Sequence, residues 1–145
     1  MCPTCRTVDV LIIDDIEFNL MFLESILAST LLIKADKAVD GRDGVDKVKA
    51  NHEKTCCKSR YKLVLCDINM PRLDGFGFTE EALAFIQQRK QVDPSTQDLN
   101  IVAITAYNTE AIIKQALSVG MLDVLFKPVS LEGIEQALAK FYVNN

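Results

Sequence analysis

The chain has 145 residues, 49% of them hydrophobic and 25% charged, with a net charge of −4 and a pI near 5.0. That length suits one domain that buries its own core without staples, and the acidic balance argues against nucleic acid as a direct partner. No apolar stretch approaches the ~18 uninterrupted residues of a membrane span, and the first ten residues lack the apolar region of a signal peptide, so a cytoplasmic location is expected.

After a tail over residues 1–7, one domain is expected over 8–143. Residues 8–13 form an apolar run broken only by Asp9 and read as a buried strand. A helix follows over 17–29, with Phe18, Phe22 and Ile26 at four-residue steps flanked by Leu23 and Leu27. Residues 32–39 read as a more polar strand near an edge. Asp40-Gly41 turns the chain into a short second helix marked by Val45, Val48 and Ala50. Residues 62–66 are the third strand, apolar enough to be central.

Met70-Pro71 and Asp74-Gly75 mark a loop with two breakers. The third helix is expected over 78–89, with Ala82, Leu83, Phe85 and Ile86 inward, and a polar loop over 91–99. A strand over 100–106, a helix over 110–119 and a strand over 124–126 follow. The last helix, 131–142, carries Ile134, Leu138 and Phe141 on one face. Segments 51–61 and 87–99 read as variable surface insertions. Five alternating strands and helices imply an α/β, three-layer doubly wound (βα)5 domain with a parallel five-stranded sheet in the flavodoxin-like order 2-1-3-4-5.

Four of the strands end in polar residues: Asp14-Asp15, Asp67, Thr105 and Lys127-Pro128. In an open parallel sheet that edge is where ligands bind, and the switch point lies between strands 1 and 3, which carry the acids. Clustered carboxylates with one ammonium suit a hard cation and phosphoryl chemistry. Singly, a double Asp is more often a helix cap, Lys-Pro a turn and a strand-end Thr a β-branched residue in its favoured place. Packing alone seldom sets four such residue types at four strand ends.

The five cysteines, an odd number with Cys66 inside an apolar run, fit reduced thiols better than a disulfide framework. A zinc site from Cys2, Cys5, His52 and Cys56 or Cys57 matches no compact finger, and mobile surface thiols are the favoured reading.

The pieces "LIIDD" (11–15), "LVLCDINMPRLDG" (63–75), "IVAITA" (101–106) and "FKP" (126–128), in this order, make the chain resemble the two-component response-regulator (CheY-like) receiver domain. The resemblance implies that Asp67 accepts a phosphoryl group from a phosphohistidine. It implies Mg²⁺ held by Asp14, Asp15, Asp67 and the backbone carbonyl of Asn69, with Lys127 and Thr105 contacting the phosphoryl group. It also implies a cis Lys127-Pro128 bond. Such a domain is a phosphoacceptor that catalyses its own phosphorylation and dephosphorylation rather than an enzyme in the ordinary sense. Its partner would be a histidine kinase or histidine phosphotransfer domain, with no direct membrane contact.

The opening "DDIEFN" (14–19) resembles the receivers of hybrid sensor histidine kinases, which is favoured over a stand-alone regulator; no output module is expected after residue 142. Two rivals stand beside this reading. A haloacid-dehalogenase-type hydrolase needs DxD at the first strand, where this chain has adjacent Asp14-Asp15. A degenerate receiver used only for binding usually lacks an acid or the lysine, both present here.

One departure is Val124, three residues before the lysine, where receivers commonly carry an aromatic switch residue. Phe126 is expected on the opposite strand face and therefore not as a substitute. Tyr107 is expected to limit access of water to the phosphoryl group. On helix 1, Leu20 and Met21 lie outside the assumed core stripe and are expected to face solvent and dock the histidine-bearing partner.

Overall fold

Val10–Ile13 (β1), Leu63–Asp67 (β3) and Asn100–Thr105 (β4) are short runs of apolar side chains buried almost throughout, as strands covered on both faces must be. The computed structural model describes residues 8–55 and 59–142. Ala35–Ala38 (β2) and Asp123–Phe126 (β5) complete one parallel sheet in the order β2-β1-β3-β4-β5. The intervening helices are α1 (Glu17–Ser25, continued by a π-helical segment Ile26–Thr30), α2 (Gly41–Glu53), α3 (Gly75–Val92), α4 (Glu110–Val119) and α5 (Leu131–Phe141). The expected three-layer (βα)5 architecture is therefore present, with β2 at an edge.

Two cores flank the sheet. One joins Leu11, Ile13, Val64, Cys66, Ile101 and Ala103 to side chains of α2, α3 and α4, among them Val45, Phe78, Ile86 and Ala116. The other joins Val10, Ile12, Leu63, Leu65, Val102 and Ile104 to Leu20, Leu23, Leu27, Ile134 and Leu138 of the α1 and α5 side. Successive strand residues serve opposite cores, the period of two that a pleated strand imposes.

Helix boundaries differ from the sequence expectation where a cap decides them. The Asp74 side chain accepts the Gly77 N–H at 2.8 Å and starts α3 at Gly75, three residues early, because two glycines had masked a helical first turn. Asp40 caps α2 through the Asp43 N–H in the same way, and α2 runs to Glu53. Segments 51–61 and 87–99 are thus partly helix extension.

The α1 stripe is a correction. Leu20 is only 4% exposed and belongs to the core with Leu23 and Leu27, whereas Phe18 is 73% and Phe22 44% exposed. The i, i+3, i+7 set of leucines faces the sheet, and the aromatics at i+4 steps face outward. Among the described residues, no helix is long and apolar enough to cross a membrane.

Candidate functional site

The parallel register brings four strand ends to one edge. Asp14 and Asp15 follow β1, Asp67 closes β3, Thr105 closes β4 and Lys127 follows β5. Asp14, Asp67 and Thr105 are buried and Asp15 is exposed. One carboxylate oxygen from each of Asp14, Asp15 and Asp67 lies within 4.8 Å of the others, the one such cluster of metal-ligating side chains among the described residues.

Lys127 Nζ stands 3.2 Å from Asp14 Oδ2 and 3.4 Å from Asp67 Oδ1. The Lys127-Pro128 peptide is cis, as expected, and the Lys127 N–H donates to the Thr105 carbonyl at 2.8 Å. Asp14 also accepts the Ile16 N–H at 2.9 Å and the Asn19 side-chain amide at 3.2 Å. Sequence reasoning gave Asn19 no role; its signal is the Asn that ends "DDIEFN", which the first turn of α1 carries back to Asp14.

The electrostatics are unbalanced. Burial, reinforced by the negative charges of Asp14 and Asp15, pushes the Asp67 carboxyl up to about 6 against the pull of Lys127. Three carboxylates face one ammonium, all with oxygen donors aimed at one small volume. That donor set fits a hard divalent cation, which favours oxygen ligands and would offset the excess charge.

Asn69 lies two residues beyond Asp67 on the loop to α3, with its side chain exposed. Thr105 Oγ1 accepts the Tyr107 N–H at 3.0 Å, and the Tyr107 side chain is largely exposed beside it. Val124 packs partly buried against the α2–α4 core. Phe126 is a second correction. It pairs in register with Thr105, as Val124 does with Ala103, so Phe126 shares the face of Val124 and Thr105 rather than the opposite one.

A groove of about 510 Å³ opens beside the acids, lined by Asp14, Phe18, Asn19, Phe22, Leu23, Ile104, Lys127, Pro128 and Val129. Leu20 does not line it. Met21 is exposed but lines a different groove, with Glu24, Ser25, Ala28, Lys34 and Ala35 towards β2. Leu20, Leu23 and Leu27 form a second apolar stripe beside Phe18 and Phe22, and burial rather than spacing decides which of the two meets the sheet. Of the suggested zinc ligands, His52 is buried in α2 and Cys2, Cys5, Cys56 and Cys57 lie outside the described residues.

Residues 10–139 match the family model of the response regulator receiver domain. The chain belongs to that family. Among receiver relatives, the chemotaxis protein CheY of Treponema pallidum is 33% identical over 130 residues, covering 90% of this chain and 79% of that protein. The osmosensing histidine protein kinase SLN1 of Saccharomyces cerevisiae is 27% identical over 135 residues, covering 93% of this chain but 10% of the kinase. In structure, the receiver resembles a chain from the co-crystal of the S. cerevisiae histidine phosphotransfer protein Ypd1 with the receiver domain of Ssk1. The TM-score is 0.79 at 26% identity, covering 92% of this chain and 88% of that one. A chain of the CheX–CheY–BeF3–Mg complex from Borrelia burgdorferi gives 0.71 at 25% identity, with 92% and 87% covered.

Proposed function

We propose that this chain is a phosphorelay receiver, spanning residues 8–143, that takes a phosphoryl group from a phosphohistidine onto Asp67. The observation that carries the proposal is the convergence of Asp14, Asp15 and Asp67 within 4.8 Å, with Lys127 at 3.4 Å from Asp67. An Asp67 carboxylate oxygen attacks phosphorus, the P–N bond breaks, and the donor imidazole leaves with the electron pair and takes up a proton. The product is an aspartyl phosphate, a covalent strategy open to carboxylate nucleophiles.

Mg²⁺ would be held by Asp15 directly, by Asp14 directly or through water, by Asp67 and by the Asn69 backbone carbonyl. When bound it supplies positive charge to the carboxylates and to the phosphoryl oxygens. Lys127, paired with Asp67 before transfer, then turns its ammonium to a phosphoryl oxygen. Thr105 donates its hydroxyl hydrogen to another while Oγ1 accepts the Tyr107 N–H, so the new hydrogen bond draws the loop after β4 inward. The same residues carry out the domain's own phosphorylation and dephosphorylation.

The partner is a histidine kinase or histidine phosphotransfer domain, in the cytoplasm. Phe18 and Phe22, beside the groove that reaches Lys127, replace Leu20 as the apolar contacts of α1, with Met21 at their margin. The Ypd1–Ssk1 neighbour supports a phosphotransfer partner, and the SLN1 relative supports a place within a hybrid sensor kinase. Incubation with a phosphorylated phosphotransfer domain and Mg²⁺ should move the phosphoryl group to this chain, and EDTA should stop it. A donor that keeps its phosphate under both conditions would contradict the proposal.

A further inference from the structure

The loop 68–74 carries Asn69 and has an unusual anchor. Arg72 sits at φ 67°, a left-handed conformation that residues with a β-carbon seldom adopt. Its guanidinium grips Asp40 with both arms, Nε to Oδ2 at 2.7 Å and a terminal nitrogen to Oδ1 at 3.2 Å. Asp40 is only 6% exposed and is fixed in turn, since its Oδ1 accepts the Asp43 N–H at 2.8 Å and caps α2.

The next residues close the same contact. The Gly41 N–H donates to the Leu73 carbonyl at 3.0 Å, and a β-carbon on Gly41 would come within 2.2 Å of that oxygen. At the far end of the loop the Gly75 N–H donates to the Ile68 carbonyl at 2.8 Å. The backbone around Asn69 is therefore held between the end of β3 and the start of α2, and Arg72–Asp40 is the charged, bidentate part of that hold.

We infer that Arg72 and Asp40 form a latch that positions the Asn69 carbonyl for Mg²⁺, making both of them positioning residues for the site. This inference rests on the Mg²⁺ reading of the site. A left-handed Arg persists only where its surroundings over-determine it: the Leu73 N–H donates to the Pro71 carbonyl at 2.7 Å across Arg72, and the Asp40 grip is the side-chain interaction that ties this turn to the start of α2.

Charge alone makes the opposite prediction for one partner. By net charge alone, removing the positive Arg72 from this acidic chain should favour cation binding, whereas loss of the latch should weaken it. Arg72 is thus the decisive position. Arg72→Asn tolerates the left-handed backbone but lacks the reach, and Asp40→Asn keeps a good helix cap without the charge.

The test is an NMR-monitored Mg²⁺ titration of the full chain and these variants, with thermal unfolding in EDTA alongside. Each single variant should bind Mg²⁺ about tenfold more weakly, at the lower end of what outer ligand supports contribute. The double variant should be no weaker than either single one, as expected for one shared interaction. Arg72→Gly, better suited still to the backbone angle, repeats the test should Arg72→Asn fold poorly. Wild-type or tighter Mg²⁺ binding in the Arg72 variants would overturn the latch, whatever their melting temperature. A wild-type chain that binds no Mg²⁺ would overturn the metal reading and the latch with it.

Discussion

Lys127 places its Nζ 3.4 Å from Asp67 Oδ1 but slightly nearer, at 3.2 Å, to Asp14, so one ammonium serves two buried carboxylates. Asp67 is left under-neutralised, and its carboxyl rises from the ordinary 3.8 to about 6. Between those values the folded chain holds a proton that the unfolded chain has already released. Stability therefore falls as pH rises through this window. In EDTA, Asp67→Asn should be more stable than wild type at pH 8, by ~1–3 kcal/mol, and the gap should close near pH 4. Saturating Mg²⁺ should narrow it at pH 8 by stabilising the wild type. Urea unfolding at the two pH values checks this; no gain at pH 8 would count against it.

His52 works in the opposite sense. Burial, with the charges of Arg60, Arg89 and Lys54 behind it, pushes its imidazole down from 6.5 to about 4. Its ring packs edge-on against Phe85 with the centroids 5.7 Å apart. The folded chain binds fewer protons than the unfolded one between these values, so stability is full above pH 6.5 and declines as pH falls. His52→Leu should flatten that decline, recovering about 2 kcal/mol of the loss between pH 7.5 and 4.5. An unchanged slope in the variant would remove His52 as its source.

The α1 surface separates docking from packing. Phe18→Ser with Phe22→Ser should slow phosphotransfer from a phosphorylated protein donor while leaving uptake from acetyl phosphate near wild type. Leu20→Ala should instead cost about 2–5 kcal/mol of stability, because it opens a cavity under the helix. Equal slowing with both donors would argue that the two aromatics do not dock a partner.

Tyr107 is exposed and tied by its N–H to Thr105 Oγ1. Replacement with Ala should open the phosphoryl group to water and speed autodephosphorylation by about threefold, the effect of ~0.7 kcal/mol on the barrier. A decay time equal to wild type would show that the ring does not shield the acyl phosphate.

The central strands and the strand-end residues were legible because β1, β3 and β4 are buried on both faces and read as short apolar runs closed by a polar residue. The face of α1 was not. Two apolar stripes coexist on that helix, and periodicity alone does not say whether Phe18 and Phe22 or Leu20, Leu23 and Leu27 meet the sheet. The start of α3 was hidden by Gly75 and Gly77, weak helix formers whose place is set by the Asp74 cap. Phe126 was assigned to the wrong face although strict alternation from Val124 already put both on one side. The Arg72–Asp40 contact spans 32 residues between two loops and has no local signature.

The most direct test of the phosphoacceptor assignment is intact mass after incubation with acetyl phosphate, with and without Mg²⁺, for the wild type and Asp67→Asn. The mass gain of one phosphoryl group is expected in the wild type only, and only with Mg²⁺. A folded wild type that gains nothing, or an Asp67→Asn chain that gains as much, would contradict it.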